Sequence, residues 1–170
     1  NLFRRCGVRL VAILLICCSV LGLCACGERA EAREVLGELL ASSALPRGVL
    51  YCSEASAEQA GYASESFLAA LYGEAAISHE LPRLESFAVY SSARMELCEV
   101  AVFCCRAASD TDVIAKMCHA RISRLERHLA VFGGEAPPMR VWVRGRWVFM
   151  AVCEGADALM KRSGKVLAGA

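Results

Sequence analysis

Beyond its first 26 residues this 170-residue chain has no C-x-x-C unit, and throughout it has few histidines and almost no net charge; each shortage removes a class of function. A formal charge of +1, from 19 basic and 18 acidic side chains, offers a polyanion no field of one sign, so nucleic acid is not expected as a partner. The three histidines, His79, His119 and His128, lack ligand spacing. His119 and His128 lie nine residues apart, where a metal-binding pair on one helix face needs about four, and a site of His119 with Cys118 fails because helix neighbours diverge. No nucleophile elbow, phosphate loop or dinucleotide fingerprint occurs, and neither a repeat nor a low-complexity tract stands out. The pattern therefore nominates no catalytic residue, no cofactor and no metal site.

What is present begins with an address. Before residue 26 the only charges are Arg4, Arg5 and Arg9, and residues 10–26 are an apolar run of 17 that ends in small side chains. Basic flank, apolar core and small-residue exit are the layout of an export signal. A retained anchor helix is the alternative, since 17 residues sit at the lower edge of what spans about 30 Å of hydrocarbon. The Arg4-Arg5 pair lacks the remaining residues of a twin-arginine signal. The exit, Leu23-Cys24-Ala25-Cys26-Gly27, resembles the lipobox of bacterial lipoproteins, with Leu23 at −3 and Ala25 at −1 relative to Cys26; Cys24 at −2 departs from the usual Ala, Ser or Thr. That likeness implies a signal peptide over 1–25 and a diacylglyceryl thioether on Cys26, whose two chains suffice for stable membrane residence. The chain opens on Asn1 rather than Met, which leaves the leader's length open.

Past the leader, length argues for one domain with an appendage. Residues 26–48 read as an Ala/Glu/Arg-rich spacer in which Val35, Leu36, Leu39 and Leu40 recur at helical spacing, so an amphipathic helix is expected before Pro46 and Gly48. Residues 49–170 then read as an α+β domain. The composition and periodicity predict strands at 49–52, 87–91 and 96–105, and a helix over 64–74 with Phe67, Leu68 and Leu71 inward. A long helix over 113–132 is expected, capped through Ser109 and Asp112, with Ile114, Met117, Cys118, Leu125 and Leu129 inward; Gly133, Gly134 and Pro137-Pro138 end it. The segment MRVWVRGRWVFMAVC predicts a hairpin turning at Gly145 with Arg144 or Arg146, with Trp142, Trp147 and Phe149 on one face and Val141, Val143, Val148, Met150 and Val152 on the other. Two apolar faces need cover on both sides, and a last helix over 157–167 supplies part of it. Over about 86–168 the order is strand-strand-helix-strand-strand-helix, preceded by N-terminal helices, which implies an antiparallel sheet with packed helices.

Charge is divided along this order. Residues 26–99 hold 5 basic against 12 acidic groups and residues 100–170 hold 11 against 6, a split that two solvated surfaces explain more simply than halves attracting each other within one fold or between copies.

At residues 99–122, EVAVFCCRAASDTDVIAKMCHARI, and 141–152, VWVRGRWVFMAV, the chain resembles an uncharacterised family of bacterial lipoproteins, a domain of unknown function common in anaerobic Gram-positive bacteria. Glu99, Phe103, Arg121, Gly145 and Val148 carry the likeness, while Cys104 and Cys105 stand where Lys and Ala are more usual. The resemblance covers roughly 86–168 and implies location and fold without a reaction.

Six cysteines follow Cys26: Cys52, Cys98, Cys104, Cys105, Cys118 and Cys153. Three disulfides among them are open to an exported chain, but Cys98 and Cys104 share a strand face with Val100 and Val102 as small core residues do, which favours buried thiols. Cys104 and Cys105 point to opposite faces and cannot join one metal site. Arg121, Arg124 and Arg127 with Glu126 make a polar helix flank, most simply a solvated face; the alternative sets Arg121, one turn from Met117 and Leu125, at the sheet's edge in a buried ion pair with Glu99, a fold feature ahead of an anion site. The expectation is thus a lipid-anchored extracytoplasmic protein on the outer side of the cell membrane, a binding or assembly module with an envelope protein as its partner. The alternatives are a thiol-redox protein or enzyme using the cysteines, and a structural envelope component.

Overall fold

A strand with no solvated side must be covered twice, and Glu99–Cys105 (β3) is buried at every position. It lies in the middle of a five-stranded, wholly antiparallel sheet with Gly48–Cys52 (β1), Leu84–Ser92 (β2), Met139–Arg144 (β4) and Trp147–Val152 (β5), in the order β1-β2-β3-β5-β4. Five helices cover the two faces among the described residues: Ala32–Ala41 (α1), Glu65–Tyr72 (α2), Glu74–His79 (α3), Thr111–Phe132 (α4) and Ala156–Gly169 (α5). The computed structural model describes residues 30–93 and 97–169; the expected leader, Cys26 and Glu96 lie outside the described residues. The fold is α+β, an antiparallel sheet between two layers of helices.

Alternation along β3 divides the core. Ala101, Phe103 and Cys105, with Val89 of β2 and Val148, Met150 and Val152 of β5, face α2, α3 and α4, whose Leu68, Leu71, Tyr72, Ala76, Ile114, Met117, Cys118, Ile122 and Leu125 close over them. Cys98, Val100 and Val102, with Ala88 and Phe149, face α1 and α5. The helix expected in a spacer is therefore a structural layer: Ala32, Val35, Leu36 and Leu39 are completely enclosed against the sheet. Burying Val35, Leu36 and Leu39 stabilises the fold by about 1.5–3 kcal/mol each, so α1 is part of the domain's core.

Local chemistry explains where elements stop. The helix expected over 64–74 begins at Ser64, whose Oγ accepts from the Phe67 N–H at 3.2 Å. It breaks at Gly73, whose φ of +96° a side-chain-bearing residue rarely adopts, and α3 starts afresh. The cap expected from Ser109 and Asp112 is replaced by a single 3₁₀ turn over Ala108–Asp110, with Thr111 Oγ1 donating to Ala108 O at 2.8 Å. In α4 Ile122 is buried along with the expected Ile114, Met117, Cys118 and Leu125, whereas Leu129 is half-buried and Val131 and Phe132 are exposed, because the helix outruns the sheet beneath it. The hairpin pairs Arg144 with Trp147, so its turn is Gly145-Arg146, with Gly145 at φ +59° and Arg146 at negative φ, as a type II′ turn requires. Trp142 and Phe149, directly opposite, stack with centroids 5.1 Å apart and planes 4° from parallel.

Candidate functional site

Two features stand out, one on each side of the sheet. The first is a cavity of about 660 Å³ at one end of the sheet, between the exit of α1, the start of α5 and the residues leading into β3. Its wall combines Leu45, Pro46, Leu97 and Ala158 with Glu135, Glu154 and Arg162. The size is that of a small-ligand site, and a mostly apolar wall with a few charged groups is the usual make-up of one. Arg162 on α5 closes the back: its guanidinium donates to Leu39 O, and to Ser42 O and Ser43 Oγ at 3.3 Å each. Leu39 O and Ser42 O are carbonyls at the C-terminal end of α1, where a cation is favoured and the last C=O groups lack helical partners.

Cys98 and Cys153 also line this cavity. Glu99 pairs with Val152 across β3 and β5, so one step further sets Cys98 opposite Cys153. Their thiols are hydrogen-bonded, and that bond, together with the Gly155 N–H at the entry to α5, holds the Cys153 thiol below its ordinary range despite burial. The other cysteines differ: burial pushes Cys52 up, Cys105 up to about 11 and Cys118 further still. All six described cysteines are buried.

The second feature is a buried polar cluster under α4. Glu99 begins β3 on the α4 side, and Arg121 reaches it with Nη2 at 2.7 Å and Nε at 3.2 Å from Glu99 Oε2. The side chains are 3% and 15% exposed, so this is an enclosed, bidentate pair. Tyr72, edge-on to Phe103 at 5.6 Å, brings a buried hydroxyl close to Glu99 that makes no hydrogen bond of ordinary geometry among the described residues. Burial and the neighbouring Glu99 charge raise that phenol well above its ordinary range. Arg124 donates to Leu71 O, and burial beside Arg121 and Arg127 lowers its pKa. A smaller hollow of about 250 Å³ lies nearby between Tyr72, Glu80, Lys116 and Met117.

The sequence placed Glu99 and Arg121 together and named all six cysteines, but did not bring Cys98 to Cys153. They are far apart in the chain, and only the pairing of β3 with β5 rather than β4 makes them neighbours. His79, His119 and His128 belong to neither feature, and among the described residues no group of three or more His, Cys, Asp or Glu side chains is arranged to hold a metal ion. No described helix is long and apolar enough to cross a membrane. Compared with known proteins, the chain matches no family model, no curated sequence and no solved structure.

Proposed function

We propose that this chain is a lipid-anchored extracytoplasmic protein on the outer side of the cell membrane, a binding or assembly module whose ligand site is the cavity walled by Leu45, Leu97 and Arg162. The observation that carries the reading is the polarity of the fold. The Ala32 N–H donates to Ser86 Oγ at 3.1 Å, and Ser86 pairs with Cys104, which pairs with Trp147, so α1 starts at the hairpin end of the sheet. It finishes at the opposite end, against the cavity. An anchor on Cys26 leaves six residues to Ala32, a reach of at most about 20 Å. The ten residues of α1 add about 15 Å along its axis. The cavity then lies at the pole away from the bilayer, accessible to envelope components.

The test is made on protein isolated from its own membranes. The N-terminal peptide should begin at Cys26 and carry a diacylglyceryl thioether; an unmodified peptide extending into residues 10–25 overturns the anchor. Cross-linking in intact envelopes should recover a stoichiometric partner with the native chain and lose it with Ala158→Trp, which fills the cavity from an exposed helix position. Equal recovery with both proteins refutes the cavity as the site, and no partner with either favours a structural envelope component instead.

A further inference from the structure

We infer that Cys98 and Cys153 form a dithiol–disulfide site that opens on the cavity and exchanges with disulfide-bearing compounds. The inference rests on the sheet register and not on the anchoring reading, and would hold for the chain without a lipid.

Backbone geometry decides which opposed cysteines can join. The Ser92 N–H donates to Cys98 O at 2.9 Å, so Cys98 turns its backbone towards β2. The Cys153 N–H donates to Pro138 O at 3.2 Å, so Cys153 turns its backbone towards the entry of β4. Neither backbone bonds the other's, which makes them a non-hydrogen-bonded pair in the ladder sense, the kind whose Cα atoms approach to about 4.5 Å and whose side chains come closest. Disulfides span Cα separations of about 4.4–6.8 Å, so the bond closes with little backbone movement. Both side chains point to the same face, the one packed by α1 and α5. The neighbouring Leu97 and Glu154 line the cavity as the two cysteines do, so a small reagent has a path to the sulfurs.

The two thiols have different roles. Cys153 lies beside the N-terminus of α5, where the Gly155 N–H and the Cys98 thiol both favour a thiolate. Its thiolate attacks one sulfur of an incoming disulfide RSSR; a new S–S bond forms, the old one breaks, and the first RS⁻ leaves and takes up the proton that Cys153 released. Cys98 then gives up its proton and attacks Cys153 Sγ in this mixed disulfide, and the second RS⁻ departs and is protonated. The two protein thiols lose two electrons, RSSR gains them, and two RSH are released. A dithiol reductant runs the sequence backwards. Cys52, Cys104, Cys105 and Cys118 take no part.

The experiment uses the full chain, reduced, folded, and equilibrated with oxidised glutathione before alkylation and peptide mapping. The expected product has lost two hydrogens and links the Cys98 peptide to the Cys153 peptide, with the other four thiols alkylated only after unfolding. Dithiothreitol should restore both thiols without denaturant. Cys98→Ser should trap one glutathione on Cys153, while Cys153→Ser should leave Cys98 largely unmodified, with circular dichroism reporting that each variant is folded. A wild-type chain that keeps both thiols in oxidised glutathione while folded, or that links other cysteines, overturns the inference without recourse to any variant. Glutathione trapped on Cys98 rather than Cys153 overturns the assignment of the attacking thiol.

Discussion

Replacing Arg121 with Met should cost this protein a large share of its stability, and the reason lies in what remains behind. Glu99 is only 2% exposed, and its carboxylate receives Arg121 through Nη2 at 2.7 Å and Nε at 3.2 Å. Methionine preserves much of the apolar stem but donates nothing, so a carboxylate is stranded between α4 and the sheet, where the nearby Tyr72 hydroxyl is poor compensation. Breaking a buried pair from one side costs about 3–5 kcal/mol. Against total stabilities of about 5–15 kcal/mol that is severe. At about 2–4 °C per kcal/mol for a domain of this size, the Tm should fall by roughly 6–20 °C. Urea unfolding at pH 7, followed by circular dichroism, should show a lower midpoint with the slope unchanged. The partner experiment is Glu99→Leu with Arg121→Met. If desolvation of an orphaned charge is the cause, the double variant should be far more stable than Arg121→Met alone, because replacing both ions by apolar groups is often neutral or stabilising. A single-variant cost below about 1 kcal/mol, or a double variant as unstable as the single, refutes the reasoning.

Three further expectations follow from the same structure. Tyr72→Phe removes a buried hydroxyl that makes no hydrogen bond of ordinary geometry among the described residues, so it should be neutral or stabilise by up to about 1 kcal/mol in thermal unfolding; a loss of more than about 1 kcal/mol means that its approach to Glu99 is a stabilising bond. Ser163→Ala should destabilise by about 1–3 kcal/mol in urea, because Ser163 Oγ accepts from Trp142 Nε1 at 3.0 Å and from Arg144 Nε at 2.8 Å, and alanine leaves the buried indole N–H unpaired; no change in midpoint defeats this account. In alkali the folded state holds protons on Cys105, Cys118 and Tyr72 that the unfolded chain releases near its ordinary thiol value of 9.0 and phenol value of 10.0, so stability should fall as pH rises through that range and towards about 11. Cys153 is depressed and contributes with the opposite sign just below that range; a flat stability profile between pH 8 and about 11 contradicts the buried-thiol assignment.

Two ion pairs, Arg121–Glu99 and Arg146–Glu85, join acidic side chains of the first part of the chain to basic ones of the second, while Arg83–Asp110 crosses between the parts with the signs reversed. The charge split seen in the sequence is thus used within the fold in part, although Arg83–Asp110 and Arg146–Glu85 are partly exposed and each contributes no more than about 1 kcal/mol.

The hairpin around Gly145, the α+β class and the facing of Trp142 and Phe149 were legible in the sequence, because alternation and a glycine turn are local properties that neighbouring residues enforce together. The Glu99–Arg121 pair was legible as one of two readings of Arg121, because helical spacing sets it one turn from the inward Met117 and Leu125; burial of β3 along its whole length decided for the pair over a solvated face. Only the tertiary structure decided the rest. The short apolar stripe of α1 is compatible with a surface spacer or a core layer, and the choice falls to the sheet face that Ala88, Val100 and Val102 leave to be covered. The break at Gly73 rests on its φ of +96°, which the apolar spacing, continuous over 64–74, does not record. The meeting of Cys98 with Cys153 depends on strand order, which is a competition among pairings of similar local strength. Packing over both faces resolves that competition, and no residue's own neighbours in the chain record it.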